Sequence, residues 1–363
     1  MLPAPSSRLR VAAPLDALRD HAYPVCFIVG GEAVNARKLG GLVLGVWVAV
    51  AMLSCTEKSD SEGADPGGTG GNTSSQGTGG NRNTGDPSGT ADDTVFDHRT
   101  TDVSQIPADA IAKAASSLHV AYWHTSHGSQ VVSGMEALRD FEESAGRFAF
   151  SADGSSGLHF DTSVGNYDQA CPDLSNCSDN SAMLEDTRRI LADHPDINVV
   201  MWAWCSISGH DVGKYLENME ALIAEFGSGG TSERASTTPV EFIFMTGHSE
   251  GGNTEPREAA AQIRAHCEAN GRWLIDYYDI ESHDIDGNGY AARSIADNLA
   301  YDGGNWAVEY LARDDADSTL VELTRLTSSC AHSDSPSEAT LNCVLKGQAA
   351  WWAFARIAGW NPE

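Results

Sequence analysis

Serine, histidine and carboxylate side chains gather at four points of the chain, each directly behind a short apolar run. His124-Thr-Ser-His-Gly-Ser-Gln130 follows Leu118–Trp123, and Cys205-Ser-Ile-Ser-Gly-His-Asp211 follows Ile197–Trp204. Thr246-Gly-His-Ser-Glu-Gly-Gly-Asn253 follows Val240–Met245, and Asp279-Ile-Glu-Ser-His-Asp284 follows Trp273–Tyr278. A further histidine stands late, in Cys330-Ala-His-Ser333. These residue types suit nucleophilic catalysis. A serine hydroxyl is a weak nucleophile and needs a histidine base and donors for the oxyanion. Ser126 sits in a polar turn ahead of a helical pattern, where backbone amides are at hand. His332 is the expected base, and Asp279 or Glu281 the acid that orients it. His124, His127, Gly128, Gln130, His248 and Ser249 are expected to line the pocket. The competing reading of Ser126 is a helix N-cap, and that of His332 a surface histidine.

Other chemistries compete for the same loops. Gly247-His-Ser-Glu-Gly251 fits a G-x-S-x-G elbow, which makes Ser249 a rival nucleophile. An elbow serine opens its helix at once, whereas here Gly252-Asn-Thr-Glu-Pro256 intervenes and Pro256 reads as the first helical position. His124, His127, His248, His283, Asp279 and Glu281 contain the donors of a metal-dependent hydrolase. No metal or cofactor is assigned from them. Asp284-Ile-Asp-Gly-Asn-Gly289 resembles the first half of a calcium loop, but position 12 falls on Ile295, with Asp297 as a substitute.

The elements that must carry these loops are legible from apolar patterning. The four runs read as strands, with a fifth near Phe148–Phe150. Helical patterns cover Val131–Gly146, Val212–Phe226, Arg257–Ala269 and Lys346–Ala358. Near-continuous apolar strands alternating with helices predict a three-layer αβα sandwich on a mostly parallel, flavodoxin-like sheet. Ligands of such folds bind beyond the carboxyl ends of the strands, where the polar loops lie. Trp351, Trp352, Phe354 and Trp360 are expected as packing residues.

The remainder of the chain reads differently. Leu39–Ser54 is free of charge, follows Arg37-Lys38 and ends at Met-Leu-Ser-Cys55. This reads as a lipoprotein signal over 34–54 with Cys55 lipidated. The polar extension 1–33 is unusual for a signal, and Val34 is a candidate start. Residues 56–93 hold ten Gly and no Val, Ile, Leu, Met, Phe, Trp or Tyr. Such a stretch has no apolar area to offset chain entropy, so 55–93 reads as a lipidated tether and 94–363 as one domain. The expected location is an exported, membrane-anchored lipoprotein of a Gram-negative-type cell.

Of 363 residues, 23 are Lys or Arg and 51 Asp or Glu, a net charge of −28. That excludes a nucleic-acid partner, and the membrane is expected to be touched only through the lipid. Cys171, Cys177, Cys205, Cys267, Cys330 and Cys343 make an even set in an exported domain, predicting three disulfides. Spacing favours Cys171–Cys177 and Cys330–Cys343, leaving Cys205–Cys267.

A strand-one serine with a late histidine resembles the SGNH/GDSL-type hydrolases. In them the nucleophile follows strand one in Gly-Asp-Ser, and the histidine lies in Asp-x-x-His before the last helix. Here His124-Thr125-Ser126 and His332 occupy these positions. Ser329 stands where the family has Asp, and Trp202-Ala-Trp-Cys-Ser206 replaces its Gly-x-Asn-Asp block. The chain also resembles a group of exported bacterial proteins of undefined function that carry HTSHGSQ, WAWC, MTGH, DIES and ARIAGW. The SGNH resemblance implies hydrolysis of an ester, such as an acyl group on a glycan, with Ser126 and His332 as catalytic residues. The alternatives are a metal-dependent hydrolase and a surface binding protein that kept only the fold.

Overall fold

The computed structural model describes residues 27–29, 32–34, 94–164, 170–179 and 181–362. The expected signal and tether, with Cys55, lie outside the described residues. Within the N-terminal unit, Phe27–Val29 pairs with Glu32–Val34 as an antiparallel hairpin. Among the described residues no helix is long and apolar enough to cross a membrane.

The second unit, Arg82–Glu363, is built on seven parallel strands flanked by helices. Strand β1 is Val95–Phe96, followed by helix α1, Ala108–Ser117. Strand β2, His119–Trp123, leads through a 3-10 turn into α2, Ser129–Asp140. Strands β3, Phe150–Ser151, and β4, Leu158–Asp161, precede α3, Ala182–Asp193. Strand β5, Val199–Trp202, precedes α4, Val212–Phe226; β6, Glu241–Met245, precedes α5, Glu255–Asn270. Strand β7 is Trp273–Ile275, followed by α6, Tyr277–Ser282. Helices α7, Trp306–Leu311, α8, Ser318–Leu326, and α9, Leu341–Ile357, complete the unit.

The strand order is β1-β7-β6-β5-β2-β4-β3. All pairings are parallel. From β2 the chain first builds the β4–β3 side and then returns to build β5, β6 and β7. The switch point therefore lies between β2 and β5, where an open α/β sheet leaves a crevice at its carboxyl edge.

Alternation along each strand feeds two cores. Val120 and Tyr122 of β2, Met201 of β5 and Met245 of β6 pack with α1, α2, α8 and α9. Ala121, Trp123, Trp202 and Phe244 point the other way, into α3, α4 and α5. This is the period-2 consequence of a sheet covered on both faces. It makes the predicted three-layer αβα sandwich the observed architecture.

Two expectations need correction. The run Trp273–Tyr278 is strand only to Ile275, because Asp276 accepts the Asp279 amide at 3.0 Å and starts α6. The expected third disulfide is not formed. Cys171–Cys177 and Cys330–Cys343 are bonded, whereas Cys205 and Cys267 are not joined. Cys205 follows β5 at the carboxyl edge of the sheet. Cys267 lies in the last turn of α5, which has run back to the opposite edge. Two disulfides accord with folding in an oxidising, exported environment.

Helices α2 and α9 cross where Gly134 faces Cys343 and Gly347. A Cβ on Gly134 would fall 1.8 Å from the Cys343 carbonyl oxygen, and one on Gly347 would fall 2.4 Å from the Gly134 carbonyl carbon. Backbone cannot yield to that contact as a flexible side chain can. Gly134→Ala is expected to lower stability by about 1–3 kcal/mol through overpacking. In a thermal melt that is a fall in Tm of roughly 3–10 °C, and an unchanged Tm would show that the helices do not pack this closely.

Candidate active site

The β2–α2 turn holds its serine by bonds from three sides. Tyr122, fully buried, donates its hydroxyl to the Gly128 carbonyl at 2.8 Å, and Ser129 Oγ donates to the Ser126 carbonyl at 2.6 Å. Thr125 Oγ1 bonds the buried Asp173 carboxylate. Gly128 is needed for close approach: a Cβ there would sit 2.6 Å from the Cβ atoms of Ala203 and His124. Ser126 itself has φ 39°, in the left-handed region that costs a non-glycine residue energy.

His332 is presented in the same manner. His332 has φ 65° in a tight turn in which the Ser333 amide donates to the Cys330 carbonyl at 2.7 Å. The Cys330–Cys343 disulfide ties that turn to α9. Gln130, fully buried on α2, donates to the Ala331 carbonyl at 2.6 Å and to Ser333 Oγ at 3.1 Å, on both sides of His332. The result is a direct hydrogen bond between Ser126 Oγ and His332 Nε2 across 206 positions of sequence.

Three imidazoles stack beside this bond. His127 lies between His332, at a centroid distance of 4.1 Å and 11°, and His248, at 3.5 Å and 9°. His127 Nε2 meets Asp297 Oδ2 at 2.8 Å. A carboxylate only accepts, so this bond puts the His127 proton on Nε2. Burial pushes the His127 pKa down to about 4, against the opposing pull of Asp297. Burial raises the Asp297 pKa, but the His127 bond and the nearby His248 and Lys346 outweigh it, and the carboxyl lies below its ordinary range. Donor atoms of His127, Asp297 and His332 all lie within 4.8 Å of one another.

Asp297 is the carboxylate that sequence reasoning did not place here. It was marked only as a substitute in a calcium loop, and nothing in its local spacing points to His332. The two expected acids are engaged elsewhere. Asp279 bonds His98 Nδ1, lies 3.2 Å from Arg264 and 3.4 Å from His283, and raises the His98 pKa through its hydrogen bond. Glu281 is fully buried, accepts from Ser249 N at 2.5 Å and Ser249 Oγ at 2.7 Å, and pairs with Lys346 at 2.6 Å. Neither Asp279 nor Glu281 bonds His332, and the carboxylate that comes nearest, Asp297, bonds the adjoining ring of His127.

No family model, curated protein or solved structure matches this chain.

Several expected pocket residues turn out to be supports. Ser249, 1% exposed, serves Glu281 rather than solvent. Gln130 grips the His332 turn from behind. His248 is buried and its Nδ1 donates to the Ser249 carbonyl at 2.9 Å. In the stretch that resembles half a calcium loop, Asp284 Oδ1 accepts the Asn288 amide at 2.8 Å and its Oδ2 the Tyr290 hydroxyl at 2.9 Å, so the carboxylate closes its own turn. A groove of about 850 Å³ is lined by His98, Arg99, Arg147 and Asp286 and does not include Ser126 or His332. Ser126 is half-buried and His332 exposed, so the pair lies at the surface.

His124 gives the site a pH signature. Both its ring nitrogens are buried without a hydrogen-bond partner, and burial pushes its pKa down to about 4. The unfolded chain protonates this histidine near 6.5. Its neutral form favours the fold above that pH, and the advantage is lost as pH falls toward 4. Between pH 7 and 4.5, urea unfolding of the wild type is expected to lose about 2–3 kcal/mol more than His124→Phe. Equal losses in the two proteins would refute the assignment.

Proposed function

We propose that the folded unit is a serine hydrolase acting on esters, and that its substrate is an acyl group carried on a glycan or similar large molecule. The observation that carries this reading is the Ser126 Oγ–His332 Nε2 hydrogen bond at the switch point of the sheet. Ser126 attacks the ester carbonyl as His332 takes its proton. The imidazolium formed lies within 4.8 Å of the Asp297 carboxylate, which stabilises it. The first amides of the 3-10 turn, at Ser126 and His127, have no acceptor within that turn and would serve as the oxyanion donors. The Gly128 amide is already given to the Thr125 carbonyl at 2.7 Å. His332 then returns the proton to the leaving alkoxide, and water completes the cycle through the same base. An exposed dyad outside the large groove favours an acyl group projecting from a bulky carrier. The high negative charge disfavours polyanionic substrates.

A fluorophosphonate probe with a short-chain nitrophenyl ester tests this. The wild type is expected to label and to hydrolyse the ester. Ser126→Ala and His332→Ala should each lose at least about a thousandfold in kcat/KM. Asp297→Asn is expected to lose about 10–100-fold. Labelling retained in Ser126→Ala would sink the reading. A metal-dependent hydrolase is favoured by one observation, the convergence of His127, Asp297 and His332. Chelator-sensitive hydrolysis that survives Ser126→Ala would select it.

The same proposal places the unit outside the cytoplasm, held to a membrane by lipid on Cys55 and set off from it by the 56–93 stretch. Cys55→Ser is expected to move the protein from the membrane to the soluble fraction and to abolish labelling by a fatty-acid analogue. Membrane retention of that variant would overturn the anchor.

A further inference from the structure

The edge of the sheet opposite Ser126 carries a second group of histidines that the hydrolase chemistry does not use. His119 opens β2, and the parallel register sets it beside His159 of β4. Paired positions on neighbouring strands lie about 4.8 Å apart and send their side chains to the same face. The two rings stack with centroids 3.3 Å apart and planes 13° from parallel. Asp196, in the turn before β5, reaches His119 Nδ1 at 2.8 Å. Donor atoms of the three residues lie within 4.8 Å of one another.

Two further features mark this group as a ligand site rather than a chance cluster. His119 is 7% exposed, and Nδ1 is the ring nitrogen it turns toward Asp196 and so toward the group. The backbone at Gly154 also closes on the His159 ring, where a Cβ would fall 2.9 Å from Cγ. The ring is therefore held in place from both sides. Solvent reaches the group through Asp196, whose side chain is 67% exposed.

We propose that His119, His159 and Asp196 bind a divalent transition metal of the zinc class. Two imidazoles with one carboxylate suit Zn²⁺ and its neighbours, whereas Ca²⁺ and Mg²⁺ take oxygen donors. Three protein donors leave a coordination position for water. The ion would tie β2, β4 and the α3–β5 turn together at the amino edge of the sheet. Binding stabilises the fold, because the unfolded chain does not hold the three donors together. This site is independent of the ester chemistry.

The test uses the full chain, stripped with chelator and titrated with ZnCl₂ by calorimetry and thermal melting. The wild type is expected to gain about 5 °C in Tm at a Zn²⁺ concentration a hundredfold above Kd. His159→Asn and Asp196→Asn should each lose one equivalent of Zn²⁺ and that gain. Asp279→Asn and Asp297→Asn, in the other two His–Asp–His groups, should keep both. The Asp196 side chain is mostly exposed, so its variant reads the loss without disturbing the core; metal-free melts check that each variant folds. Absence of Zn²⁺ binding at 100 µM, or wild-type stoichiometry in both His159→Asn and Asp196→Asn, would overturn the proposal.

Discussion

A buried ammonium and a buried carboxylate hold the candidate site together. Lys346 Nζ lies 2.6 Å from Glu281 Oε1, and both side chains are wholly shielded from solvent. A charge so placed would cost several kcal/mol if it stood alone. Each is therefore surrounded by partners. Lys346 also donates to Gln130 and lies 4.0 Å from the centre of the Tyr277 ring. Glu281 accepts from Ser249 and from Asn342 at 3.2 Å. Every partner then reaches onward to a site loop. Gln130 holds the carbonyl of Ala331, Asn342 holds that of Asp297 at 2.7 Å, and Ser249 is joined to His248 in sequence and by a hydrogen bond. Such a pair is weak grounds for net stability but a strong geometric constraint, because few arrangements of α2, α6 and α9 satisfy it.

That constraint explains how unfavourable local conformations persist at the surface. Ser126 and His332 both have positive φ, each at a cost of about 1–3 kcal/mol. Their turns are fixed from below by Tyr122 and Gln130 and, for His332, by a disulfide to α9. The hydroxyl and the imidazole are thereby held within hydrogen-bond contact. The stacked imidazoles add an electrostatic condition. Face-to-face rings 3.5–4.1 Å apart disfavour two neighbouring positive charges. The central ring, His127, is held neutral by burial.

Much of the scaffold was legible in local patterning. The helix over Val212–Phe226 was read with the bounds that the structure gives it. The four apolar strand runs were also found, since buried parallel strands need near-continuous apolar residues. Strands β1 and β4 and helices α1, α3, α6, α7 and α8 were not read; β1 has only two residues, too few to show a pattern. The end of β7 was misplaced because a single cap, Asp276, outweighed the apolar run that continues through Tyr278.

Ser126 and His332 were legible because each sits next to a recognisable feature, a strand end and a cysteine turn. The carboxylate beside them, bonded to His127, was not. Asp279 and Glu281 follow β7, which stands three strands from β2, while Asp297 lies on a loop that folds back over the switch point. Cys205 and Cys267 likewise had the right count but lie at opposite edges of the sheet. The sequence by itself determined the alternation of strands and helices and the chemical types at each strand end, because hydrophobic period and turn residues act within a few positions. Strand order decided which of those ends became neighbours. It depends on how two whole cores are filled, and no stretch of a few residues encodes that.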